Sequence, residues 1–394
     1  MNLGVWIFIV AILVVIMIHE GGHFLVAKAF GFKAPQYFLG FGPTIWSFKK
    51  GETEYGIKAL PLGGFVKIAG MNPYEEVPPE DLPRAYFNKP RWQRALVIVA
   101  GSGTHFIVAF LILLVTTMTI GFPTDQPSTE LVLVQTEIEN TKSPAAQAGF
   151  QPDDKIVGVG NRPVDSWQDV RGYIRSHAGE PARFIVERDG QEVELEATLG
   201  QAILDDQGRL VEYAPPGEEL RPPREGETTG GFLGVQPDAV YEKHGLIGGI
   251  ADSAERTWDV TRLSVVGIGQ TFEMVFGGEL WDALTGSGER AVDDGPIGIL
   301  GAGRIASESL EAGQVLNLIG LIVGFTVFVG LMNLLPLPPL DGGHLAVIAY
   351  EAITKKTVDV RKLIPIAAAV ISFFVILFIA VLYLDLARPI KVPF

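Results

Sequence analysis

The sequence predicts a polytopic α-helical membrane protein: four transmembrane helices, a membrane-associated β-hairpin and an extracytoplasmic α+β domain. Three observations carry that expectation. The 394 residues are 48% hydrophobic with a mean hydropathy of +0.29, too apolar for an ordinary soluble protein. Four apolar stretches, Leu3 to Ala27, Ala95 to Phe122, Val315 to Leu335 and Leu363 to Leu384, are each long enough to cross a hydrocarbon core of about 30 Å as a helix. Between the second and third, the charge changes sign: residues 122–313 hold 15 basic and 34 acidic side chains, a net of −19, whereas the rest of the chain sums to +5 within a total of −14.

The first stretch has no basic start, is too long for the apolar core of a signal peptide and lacks a small-residue cleavage pattern, so it reads as a retained helix. Inside it stands His19-Glu20-Gly21-Gly22-His23. Two histidines four apart project from one helix face, close enough to ligate one zinc ion, and the intervening glutamate is placed as a general base. Ionisable side chains in a span are expensive and mark a protein interior where they act. With no cysteine in the chain, any metal relies on His, Asp or Glu.

The first loop is basic, with Lys28, Lys33, Lys49, Lys50, Lys58, Lys67, Arg84, Lys89, Arg91 and Arg94, and Lys355, Lys356, Arg361 and Lys362 follow the third span. Positive residues mark cytoplasmic loops, which puts both termini and the acidic segment outside. That acidity argues against nucleic-acid binding. Within the loop, Thr44 to Phe48 and Tyr55 to Ala59 flank the polar turn Lys49 to Glu54, a hairpin signal, and Phe65 to Ile68 reads as a further strand. Residues 72–90, rich in proline and acids, read as an exposed connector. The second span contains Gly101-Ser102-Gly103-Thr104-His105: its glycines permit close helix packing, and His105 is either a metal or substrate contact or a histidine bonded within the bundle.

After the second span, strand-like runs at Leu131 to Gln135, Lys155 to Val159, Ala182 to Arg188 and Glu192 to Leu199 alternate with helices expected near Ser143 to Phe150 and Ser166 to Ser176. The element order and the string SPAAQAGFQPDDKIVGVGNRPV resemble a PDZ domain of the circularly permuted bacterial type over roughly residues 125–200. The resemblance implies a groove that accepts a peptide C-terminus beside a strand, or a steric filter against large folded domains. Residues 201–229, rich in Pro, Gly and Glu, read as a flexible excursion. Gly231 to Val235 reads as a closing strand, and Arg256 to Phe276 as an amphipathic helix lying on the outer membrane surface or packed on the preceding domain.

The other unusual stretch is Asn333-Leu334-Leu335-Pro336-Leu337-Pro338-Pro339-Leu340-Asp341-Gly342-Gly343-His344. Its prolines end the third span, and irregular backbone at membrane depth must line a pocket. Asp341 would add an oxygen ligand to the two histidines and leave a fourth position open, the pattern of a catalytic zinc. Asn333 would hold substrate backbone or an oxyanion. His19 lies nine residues before Lys28, about 13 Å at 1.5 Å per residue, which sets the site toward the cytoplasmic side.

With HEGGH in the first span and NLLPLPPLDGGH after the third, the chain resembles the site-2 protease family of intramembrane zinc metalloproteases, especially bacterial members that cleave membrane-anchored anti-sigma factors. Further shared features are Gly40 to Pro43, Pro61 to Phe65 and Gly295 to Ile299. The resemblance implies one zinc per chain held by His19, His23 and Asp341, Glu20 as base, Asn333 and His105 as substrate contacts, and regulated cleavage of a single-pass substrate already shortened on its outer side. Partners would be that substrate, membrane lipid and a peptide end at the PDZ-like domain, in a bacterial plasma membrane. Many relatives have asparagine where His105 stands, and some carry two PDZ domains where one is found here. The expected division is 1–121, N-terminal membrane region; 122–200, PDZ-like domain; 201–312, excursion, closing strand and amphipathic helix; 313–394, C-terminal membrane region. Rival readings are a zinc transporter and a PDZ-based membrane scaffold.

Overall fold

The computed structural model describes residues 3–72, 74–138, 141–205, 210–286 and 296–389. Gly295, the first residue of the glycine-proline motif noted above, and Pro73 of the connector lie outside the described residues. The chain divides into two compact units, one made of residues 1–119 and 244–394 and the other of 120–243.

The first unit opens with α1 (Leu3–Ala29), followed by β1 (Gln36–Lys50) and β2 (Thr53–Lys67), and returns through two short 3₁₀ turns to α2 (Arg91–Thr119). The strands form the expected hairpin, closed at Lys50 and Thr53. Its inner end curls over: Gln36 to Leu39 pair both with 54–57 and with 64–67. The strand expected at Phe65 to Ile68 is therefore the far end of β2. The bend falls at Gly40 and Gly42, both at positive φ (87° and 85°), a conformation that glycine adopts without a Cβ penalty.

The second unit begins with β3 (Phe122–Val134), β4 (Glu137–Ile138), β5 (Thr141–Lys142), α3 (Pro144–Ala148), β6 (Lys155–Val159), β7 (Arg162–Pro163) and α4 (Trp167–Ser176). It continues with β8 (Pro181–Arg188), β9 (Gln191–Thr198), β10 (Gly200–Leu204), β11 (Leu210–Ala214), β12 (Thr228–Phe232) and β13 (Val235–Glu242). The main sheet runs β13-β3-β6-β8-β9 with β7 on β6, beside a three-stranded sheet β11-β10-β12 and a β4-β5 ribbon. Ser143 and Ser166 cap α3 and α4 by accepting from the amides of Ala146 and Asp169. Leu131, Phe150, Ile156, Phe184 and Leu199 form the buried core. Two expectations are corrected here. Residues 201–229, expected as a flexible excursion, instead carry paired strands: β10 pairs on both edges and buries Ala202, Ile203 and Leu204. Gly231 to Val235 is not one strand but the turn from β12 to β13, with Gly234 at φ +86°.

The chain re-enters the first unit with α5 (Leu246–Gly277) and α6 (Glu279–Thr285), then α7 (Ile299–Glu311), α8 (Val315–Asn333), α9 (Asp341–Thr354) and α10 (Ile364–Ala387). Among the described residues four helices are long and apolar enough to cross a membrane: Leu3–Ala29, Arg91–Thr119, Val315–Asn333 and Arg361–Ala387, so the chain is a membrane protein with an added β unit. The helix expected at Arg256 to Phe276 is the longer α5, and it packs on α2 and α8. Thr117 Oγ1 donates to Asp252 of α5 at 2.8 Å, and His244 N–H donates to the Thr117 carbonyl at 3.2 Å. Small residues let the helices close. A Cβ on Gly4 would lie 2.5 Å from the Ala306 carbonyl oxygen of α7, and one on Gly22 would lie 2.4 Å from that of Ala100 on α2. Asp385 of α10, 1% exposed, accepts from Gly298 and Gly301 at the start of α7, filling two of the amides a helix leaves unpaired.

Candidate metal centre

Helix α1 carries His19 and His23 on one face, and the rings meet edge to face with centroids 4.7 Å apart. Between α8 and α9 the proline-rich turn presents Asp341 to them. Only glycine fits directly after it, since a Cβ on Gly342 would lie 2.1 Å from the Leu334 carbonyl oxygen. The turn thus clamps the first residue of α9 in place.

The donor atoms of His19, His23 and Asp341 lie within 4.8 Å of one another. The separations are 3.2 Å between the two Nε2 atoms, and 3.5 Å and 3.3 Å from these to Asp341 Oδ2. Donors at about 2.0–2.1 Å from a tetrahedral ion stand roughly 3.3–3.4 Å apart, so this triangle fits zinc and its two-nitrogen, one-oxygen set suits it. His19 and His23 are 8% and 6% exposed.

Each donor is held from behind. His23 Nδ1–H donates to the Val97 carbonyl at 2.8 Å, which leaves Nε2 as the free lone pair. His19 Nδ1 meets His105 Nε2 at 3.1 Å, and Ser102 Oγ donates to Asp341 Oδ2 at 3.2 Å. Gly101 brings α2 against the centre: a Cβ there would stand 2.2 Å from His23 Nε2. Beside the triangle, Glu20 Oε2 accepts from the Val66 amide of β2 at 2.9 Å. Tyr37 of β1 donates to the Met17 carbonyl at 2.6 Å, and burial pushes its hydroxyl pKa up to about 12, so it remains a donor.

Of the residues singled out in the sequence, His19, Glu20, His23, His105 and Asp341 come together here. His105 is 1% exposed and faces His19, so its observed contact is the one within the bundle. Asn333 closes α8, and its side chain makes no hydrogen bond among the described residues. Sequence reasoning missed Ser102, Val97 and the Val66 amide. The one signal for Ser102 is its spacing of three from His105, which puts both on one face of α2.

Comparison with known proteins agrees with this chemistry. The model of peptidase family M50 matches residues 7–379. The zinc metalloprotease Rip1 of Mycobacterium tuberculosis is 32% identical over 417 aligned positions, covering 98% of each chain. The metalloprotease MmpA of Caulobacter vibrioides is 32% identical across 87% of this chain and 85% of its own length. The zinc metalloprotease RasP of Geobacillus kaustophilus is 28% identical across 90% and 91%. The chain belongs to peptidase family M50, the site-2 protease family, and is an intramembrane zinc metalloendopeptidase.

Proposed function

We propose that His19, His23 and Asp341 hold the zinc, that Glu20 is the general base, and that the substrate is a single-pass membrane protein cut inside the membrane boundary. The observation that carries this reading is the donor triangle with the Glu20 carboxylate beside it, within a span. When bound, zinc supplies a Lewis acid that polarises the scissile carbonyl and acidifies water at neutral pH. Glu20, anchored through Oε2 to Val66, accepts the water's proton on its other oxygen. It returns that proton to the leaving nitrogen as the C–N bond breaks, so one water is consumed and one carboxylic acid and one amine form. The Asn333 amide donates to substrate backbone or to the developing oxyanion. His105 acts through His19, and Ser102 through Asp341, by fixing their orientation.

A helical substrate must unwind to expose a carbonyl, and the hairpin of β1 and β2 offers strand edge for it to pair with. The basic loops after α1 and α9 argue for a cytoplasmic hairpin, with residues 120–243 outside a bacterial plasma membrane. Within them, residues 122–200 serve as a PDZ-like domain that takes a peptide end or keeps large folded domains away. Substrates of the anti-sigma-factor kind, shortened first on the outer side, fit this arrangement.

The test is cleavage of a tagged anti-sigma-factor transmembrane segment by the purified full chain, beside Glu20→Gln, with zinc measured in both. Cleavage by the parent alone at equal zinc is expected. Zinc in both with cleavage by neither, across several such segments, would sink the reading and favour a zinc transporter or a membrane scaffold.

A further inference from the structure

Two cavities of the first unit adjoin through shared walls at Met71, Asn72, Glu75 and His344. One, of about 630 Å³, includes Val66, the residue whose amide holds Glu20. The other, of about 490 Å³, reaches Tyr86, Arg94 and Glu351. His344 stands on α9 one turn after Asp341, so the pair of cavities leads from beside the metal centre to the start of α2. Both volumes lie in the range of ligand pockets, roughly 300–1,000 Å³.

The polar groups around this path are unequally committed. Glu75 accepts from Lys67 Nζ at 3.0 Å and from the Gly70 amide at 2.9 Å. Glu351, 5% exposed, accepts from Arg94 Nη1 at 3.1 Å and from the Val358 amide at 3.2 Å. Each carboxylate oxygen therefore has a donor. In contrast, the Tyr86 hydroxyl and Arg94 Nε are buried with no hydrogen-bond partner among the described residues, and Tyr86 is 5% exposed overall. Both belong to one wall, with the Arg94 guanidinium carbon 5.0 Å from the Tyr86 ring centre. Burial raises the Tyr86 pKa, which keeps its O–H as a donor.

Buried polar groups are nearly always paired, so two unpaired donors on residues that line a cavity call for an acceptor. A guanidinium edge with a neighbouring hydroxyl suits a carboxylate, and charge-assisted bonds of this kind are the strong ones. Glu75 and Glu351 each already accept from two donors, whereas the two unpaired donors have no acceptor among the described residues. Hydrolysis of a peptide bond creates one carboxylate and one amine, and only the carboxylate matches this wall. Resting on the proposed cleavage at the adjoining centre, we propose that Arg94 and Tyr86 form a product site that receives the newly made chain-terminal carboxylate.

The test uses the full-length chain in detergent and two fluorescein-labelled hexa-alanine peptides, one ending in a free carboxylate and one in an amide, with binding read by fluorescence anisotropy. The parent is expected to prefer the carboxylate by about tenfold or more, the worth of one or two hydrogen bonds to a charged group. The preference is expected to survive removal of zinc by a chelator. It should fall several-fold in Tyr86→Phe and vanish in the paired change Arg94→Met with Glu351→Gln, which leaves no buried carboxylate unpaired. Equal binding of acid and amide, or a preference lost together with the zinc, overturns the proposal, the latter by assigning the carboxylate to the metal itself. Because no arm needs turnover, a chain that binds as described yet cleaves nothing would count against the proposed function and not against this site.

Discussion

Gly101→Ala is the sharpest perturbation of the candidate metal centre that leaves every proposed ligand unsubstituted. The added methyl carbon would stand 2.2 Å from both Cε1 and Nε2 of His23, where ordinary contact begins at 3.4 Å. The imidazole or the helix must therefore yield by about 1.2 Å, some six times the roughly 0.2 Å latitude of a metal–donor distance. Zinc affinity should fall on the order of 100-fold or more, at or beyond the upper range for disturbing a ligand's supporting partners. The fold should survive, because overpacking costs about 1–3 kcal/mol. Gly103→Ala supplies the contrast two residues away: nothing lies within 4 Å of its added carbon, and the helix gains about 1 kcal/mol in propensity. Competition with a graded series of zinc chelators, alongside thermal unfolding by circular dichroism, reads both. Parent-like zinc binding in Gly101→Ala would refute the claim that α2 presses on His23.

Two further outcomes follow from neighbouring contacts. Ser102→Ala removes the hydroxyl that orients Asp341 Oδ2 and should weaken zinc binding by about 10- to 100-fold with little loss of thermal stability, checked by the same competition. At the hairpin turn, hydrogen bonds from Arg84 and then Lys28 hold the Glu52 carboxyl down to about 2. Because the folded pKa is depressed, this contribution is complete above about pH 4.5 and fades as pH falls toward 2. Its size should stay below about 1 kcal/mol, since the side chain is a quarter exposed and screened. Hydrogen-exchange protection at the turn, taken relative to the intrinsic rate at each pH, should fall over that window in the parent and stay flat in Glu52→Gln.

The spans were legible because a bilayer demands long apolar helices, and His19, Glu20, His23 and Asp341 stood out because charge is rare in such company. Supporting contacts were hidden for the converse reason. Ser102 and Gly101 are small residues in an apolar helix, where nothing local distinguishes a packing role from a hydrogen bond to another helix. The Val66 amide acts through backbone, to which side-chain identity is blind. β10 to β12 were obscured because their connections are rich in Pro, Gly and Glu, and composition averaged over the whole segment concealed the short apolar run Ala202-Ile203-Leu204 that β10 buries. α9 was also unread, because its opening Asp341-Gly342-Gly343 looks like a loop and its glycines answer to close packing on the preceding turn.

The hydrogen bond from the His244 amide to the Thr117 carbonyl joins a residue two positions before the chain leaves the membrane unit to the one at which it returns. Residues 120–243 are thereby an insertion whose two stems meet at one point, so their length and content place almost no loop-closure demand on the helices. Such a joint lets the inserted unit change in length or content with little effect on the membrane helices. It makes the pair Thr117 and His244 the natural seam for grafting a different unit onto the same protease.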